Sequence, residues 1–139
     1  MTSSAPGHNS TPSETIAVLV VSDDPRVGEE IDYGAPSHVK AEIVADSRAA
    51  WSNLQQVTPA VVVVDIQTGS AGGYGLARDM RADRRFSDTP ILMLLERDQD
   101  GWLAKQAGAS LWRTKPVEVS TLVGDLLSLV QGGAADSGS

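Results

Sequence analysis

The chain has 139 residues, no cysteine, and 18 acidic against 11 basic side chains, for a net charge of -7. That length holds one domain with one moderate core, and the acidic balance disfavours direct binding to a nucleic-acid backbone. The lack of cysteine removes disulfides, thiolate metal sites and thiol nucleophiles, and is compatible with a reducing, cytoplasmic setting.

Residues 1–14, MTSSAPGHNSTPSE, have neither the basic start nor the apolar stretch of a signal peptide and read as a disordered leader. No apolar run approaches the roughly 18 residues of a membrane span, so direct membrane insertion is not expected. The first strand is expected at IAVLVVS, residues 16–22. Asp24-Pro25 follows it, a capping residue with proline at the first helical position, and predicts a short helix to about Tyr33. VKAEIVA (39–45) reads as the second strand, and Ser47 as the cap of a helix carrying Ala50, Trp51, Leu54 and Val57.

AVVVVD (60–65) is the most apolar run, with Asp65 at its end. Consecutive β-branched residues suit a strand buried on both faces, and a carboxylate there is costly to desolvate without a counter-charge. A third helix is expected from about Gly73 to Ala82, and PILMLL (90–95) as the fourth strand. The segment ADRRFSD (82–88) between them reads as a solvated connection. A fourth helix, about Gln99–Ala107, would stop at Gly108 in a left-handed cap, before a fifth strand at ASLWRT (109–114). Val119, Leu122, Val123, Leu126, Leu127 and Val130 recur at helical spacing and form the last helix. The Gly-rich end from residue 131 onward reads as a tail, leaving 15–130 as the ordered domain.

Strand and helix alternating five times imply a parallel sheet covered on both faces, with right-handed crossovers. Function in such sheets gathers outside the carboxyl ends of the strands. Ser22, Asp23 and Asp24 end the first strand here, Asp65 the third, and Lys115-Pro116 the fifth. Two acidic ends and a lysine would converge there, and hard oxygen ligands without His or Cys suggest Mg2+.

With these motifs in this order, VLVVSDDP, VVVVDIQTGSAGGYGLARDMR, PILML, QAGAS and TKP, the sequence resembles the receiver domains of two-component response regulators across about residues 15–130. The resemblance implies an α/β, flavodoxin-like (βα)5 three-layer sandwich with parallel strand order 2-1-3-4-5. It implies Asp65 as phosphoacceptor in phosphorelay signalling and Lys115 as the phosphoryl contact, with Mg2+ held by Asp23, Asp65 and the backbone carbonyl of Gln67. It also implies a lysine–proline bond that is usually cis. A signalling module of this kind has no enzymatic activity beyond self-phosphorylation and autodephosphorylation at Asp65. Phosphoryl transfer to a carboxylate needs positioning and neutralised charge more than covalent help.

Three positions depart from that pattern. Ser22 stands where the family carries the first of two acidic residues, and Asp24 falls one position late to replace it. Leu95 stands where a Thr or Ser hydroxyl would bond the phosphoryl oxygens, and leucine offers neither donor nor acceptor. Twelve residues, 96–107, separate Leu95 from Gly108, about two fewer than the family pattern suggests. Mg2+ is therefore expected to bind weakly, since affinity follows ligand charge.

Aromatics make up only 4% of the chain, so Trp102 and Trp112, with Leu103 and Leu111 nearby, stand out as possible interface anchors. Ordinary edge packing is the competing reading. GSAGGYG (69–75) lacks the lysine and spacing of a phosphate-binding loop and reads as a turn and helix entry. His8 and His38 have no ligand partner in sequence. Gln67 occupies the position where an aspartyl phosphatase would need a second aspartate. The expectation is an atypical, stand-alone receiver acting as a docking or regulatory subunit through its fourth helix, fifth strand and fifth helix. The alternative is a regulator or phosphate shuttle that accepts a phosphoryl group on Asp65 from a histidine kinase.

Overall fold

The computed structural model describes residues 15–67 and 72–136. The expected leader at 1–14 and residues 69–71 of the expected glycine-rich turn lie outside the described residues. In chain order the elements are β1 (Ile16–Val21), α1 (Pro25–Gly34), β2 (Val39–Val44), α2 (Ser47–Leu54), β3 (Val61–Asp65) and α3 (Gly72–Ala82). There follow β4 (Ile91–Leu95), a 3-10 turn (Asp98–Asp100), α4 (Gly101–Ala107), β5 (Leu111–Thr114) and α5 (Val119–Asp136). The five strands are parallel, in the order β2-β1-β3-β4-β5, which is the flavodoxin-like 2-1-3-4-5 arrangement.

The valine run shows how the sheet is built. Successive side chains of a strand point to opposite faces. Val62 and Val64 accordingly pack with Leu54, Leu76, Met80 and Ala104 beneath α2, α3 and α4. Val61 and Val63 pack with Ile31, Leu122 and Leu126 beneath α1 and α5. All four valines are buried because both faces are covered.

Helix boundaries follow local chemistry. Asp24 caps α1, its carboxylate accepting the Arg26 N–H at 3.0 Å, with Pro25 in the first turn. Asp46 caps α2, accepting the Ala49 N–H at 2.9 Å. This corrects the expected cap at Ser47, whose hydroxyl instead donates to the Gly72 carbonyl at 2.8 Å. The α2 helix ends at Leu54, so Val57, expected on its inner face, is exposed. Gly108 adopts φ 102° after α4, the left-handed cap foreseen for it.

Two further segments differ from expectation. The connection at 82–88 is not simply solvated: Phe86 is fully buried and packs edge-on against Trp51, with ring centroids 5.8 Å apart. Arg81 holds that loop, donating to the carbonyls of Phe86 (3.1 Å), Ser87 (3.1 Å), Thr89 (2.8 Å) and, across the sheet edge, Gly108 (2.9 Å). Its guanidinium ties together carbonyls of a non-repetitive loop, and burial lowers its pKa. The last helix continues past residue 130 to Asp136, because extending a formed helix costs far less than starting one.

Candidate functional site

The register brings the carboxyl ends of the strands to one edge. Val21 pairs with both Val44 and Val64, Asp65 with Leu94, and Leu95 with Thr114. The backbone ladder runs on into the site through Ser22 N–H to Val44 O (2.9 Å), Ile66 N–H to Leu94 O (2.8 Å) and Lys115 N–H to Leu95 O (2.7 Å). The residues that follow the strands therefore start from a fixed frame. Lys115-Pro116 is cis.

Asp65, Ser22 and Lys115 meet there. The Asp65 side chain is only 2% exposed. The Ser22 hydroxyl donates to its Oδ2 at 2.7 Å, and the Lys115 ammonium forms an ion pair with its Oδ1. Lys115 also donates to the Ile66 carbonyl at 3.2 Å and lies 3.9 Å from Glu96. A buried carboxylate is tolerated when paired and hydrogen-bonded, and here each oxygen has its own partner.

Asp23 stands apart from this group. It is exposed, and its Oδ1 accepts from the side-chain amide of Gln67. Asp24 is occupied as the α1 cap and by the Arg26 guanidinium at 3.1 Å, whose hydrogen bond holds the Asp24 carboxyl below its usual range. It does not turn into the pocket to stand in for Ser22. Leu95 is fully buried in the core beneath α2–α4 and brings no hydroxyl to the site.

A cleft of about 380 Å³ opens beside this group, lined by Ser22, Asp23, Asp46, Arg48, Asp65 and Gln67 among others. The residues present do not fit the Mg2+ set that the resemblance implied from Asp23, Asp65 and the Gln67 carbonyl. A hard divalent cation is held mainly by carboxylates, whereas the place beside Asp23 holds a neutral serine and both Asp65 oxygens are engaged within the chain. Among the described residues no three His, Cys, Asp or Glu side chains are grouped to hold a metal ion.

The second group of expected site residues is divided by the sheet. Trp102, on α4, is 60% exposed, and Trp112, on β5, is 36% exposed. Trp112 lies against the first turn of α4: a Cβ at Gly101 would come within 2.7 Å of its Nε1. Leu103, also expected on this face, is half-buried against the core beneath α2–α4. Leu111 is turned to the opposite face and packs against the core beneath α1 and α5. The strand's two-residue period separates Leu111 from Trp112, so the expected four-residue patch contracts to the two tryptophans.

Two contacts at this edge had no clear signal in the sequence. Arg113 makes a two-pronged ion pair with Asp125 of α5 (2.7 and 2.9 Å), which raises the arginine pKa. The Thr114 hydroxyl donates to Asp98 in the turn before α4. Both pairs are far apart in sequence, and only the packing of α4 and α5 against β5 joins them.

The chain is similar to known proteins of one kind. It is 31% identical over 134 residues to the response regulator Rre1 of Synechocystis, covering 91% of this chain and 58% of that protein. It is 32% identical over 111 residues to the heme response regulator HssR of Staphylococcus aureus, covering 78% and 48%. The chain thus spans about half the length of the curated relatives it matches. The chemotaxis response regulator CheY4 of Vibrio cholerae superposes with a TM-score of 0.75 at 24% identity, over 83% of this chain and 98% of that one. No family model matches. Among the described residues, no helix is long and apolar enough to cross a membrane.

Proposed function

The chain belongs to the receiver-domain family of two-component response regulators, and we propose that within it the domain is an atypical, docking member that binds a partner protein through α4, β5 and α5. The observation that carries this reading is the aromatic edge: Trp102 stands out from α4 while Trp112, partly exposed, lies on the neighbouring strand. Tryptophan presents a large rigid surface at low entropic cost, which suits it to anchor an interface. Asp65, by contrast, is enclosed, and the fully buried Leu95 offers no hydroxyl to transmit a change at the carboxylate toward α4. A ligand moves a conformational equilibrium only by its differential affinity for the two states, and this pocket holds few groups that could supply one.

Receiver domains are signalling modules rather than enzymes, and the reading assigns no turnover to this chain. Nucleic acid is not a partner in this reading, on grounds of charge. Replacing Trp102 and Trp112 together by alanine and recovering partners from native lysate tests it: a partner retained by the wild type is lost from the double variant. Unchanged recovery removes this face from consideration.

One observation favours the second reading, in which a histidine kinase phosphorylates Asp65. The carboxylate and Lys115 remain paired at the open ends of the strands. Exposure to a small phosphodonor followed by mass spectrometry decides between the two: an Asp65-dependent adduct supports phosphorylation, and none ends it.

A further inference from the structure

We infer that the acidic pocket is a self-neutralised, metal-independent site, in which the Lys115 ammonium and the Ser22 hydroxyl take the places of a divalent cation and of a second carboxylate. Three features of the geometry carry this. First, Ser22 is tied to two neighbours: its Oγ accepts the Asp24 N–H at 3.0 Å and donates to Asp65 Oδ2 at 2.7 Å, the Asp24 carbonyl lying farther off at 3.4 Å. As a neutral ligand Ser22 could offer a metal only its remaining lone pair, with no charge to hold a dication.

Second, the outer carboxylate is already engaged. Asp23, which would have to reach the same cation, is held by the Gln67 amide. Third, the pocket offers a dication little charge: Asp23, Asp65 and Lys115 together carry −1, and Glu96, 3.9 Å from Lys115, is 41% exposed, where water screens it. With an aspartate at position 22 the same sum is −2, and a divalent ion would bring it to zero. A divalent ion is retained by the charge of its ligands, so exchanging a carboxylate for a hydroxyl removes much of what would hold it. The long-range field of the −7 chain does not restore it, because screening leaves such attraction weak and indifferent to position.

This inference stands apart from the docking reading and is tested without a partner. Thermal unfolding of the full chain is followed with and without about 10 mM MgCl2 at constant ionic strength, where any ion binding only the folded state raises the midpoint. The wild-type midpoint is expected not to move. Ser22→Asp is expected to lower the midpoint without metal and to gain a saturable rise with Mg2+. A saturable rise in the wild type that disappears in Asp65→Asn overturns the inference, as does a Ser22→Asp protein that folds and gains nothing. Should Ser22→Asp not fold, Mn2+ is titrated into isotope-labelled wild type. Broadening no stronger at Asp23 and Asp65 than at other acidic residues supports the closed site, and selective broadening at those two overturns it.

Discussion

The pocket around Asp65 and the edge around Trp102 are both built at the rim of one sheet, yet they meet water in opposite ways. At the pocket a charged side chain has been taken almost wholly out of solvent, each oxygen given a partner by another segment of the chain. At the edge two large aromatic side chains are left 60% and 36% exposed, and only the second has an evident seat inside the molecule, over Gly101. The group that chemistry would favour for reaction is closed, and the groups that physics would favour for burial are open. Unsatisfied surface is what a partner can use, and here it lies at the edge.

The largest test of this contrast breaks the closed side. Lys115→Met keeps the length of the side chain and removes its charge, leaving Asp65 buried without its counter-ion. Chemical denaturation should show a loss of about 3–5 kcal/mol. Joining it with Asp65→Leu should recover most of that loss, because no orphaned charge remains. A single variant with near-wild-type stability would show that the pair is not enclosed.

A middle-sized effect is expected at the seat of Trp112, within the open side. Gly101→Ala places a methyl group within 2.7 Å of the Trp112 indole. The ring must leave its seat on α4, at a cost of about 1–3 kcal/mol. Tryptophan emission should shift to the red as the indole enters water, and an unshifted spectrum would place Trp112 elsewhere.

The smallest effect belongs to the open side. Trp102→Ala should change stability by no more than about 0.5 kcal/mol, since the side chain already faces solvent. A larger loss in the same denaturation experiment would make Trp102 a structural residue and weaken its case as an anchor.

Much of this molecule is legible in one dimension. The alternation of apolar runs with helical spacing, the Asp24-Pro25 start of α1 and the Gly108 stop of α4 are local rules obeyed locally, and the structure follows them. Asp65, Lys115 and Ser22 could be placed at strand ends because a parallel sheet brings such ends together. The misses are of another kind. Asp46 and Ser47 are both good caps, and sequence offers no way to choose between neighbours. Leu111 and Trp112 are neighbours in sequence, yet strand alternation sends them to opposite faces of the sheet. Arg81 gave no pattern at all, because its carbonyl acceptors belong to no motif.

By itself, then, the sequence determined the architecture and set Ser22, Asp65 and Lys115 at the ends of its strands, since both depend on periodicity and on short-range backbone chemistry. Only the tertiary structure decided how those residues are used. Whether Asp65 stands open or enclosed depends on Ser22, 43 positions away, and on Lys115, 50 positions away. A hydrogen bond or ion pair across that span exists only once the sheet has set its partners in place.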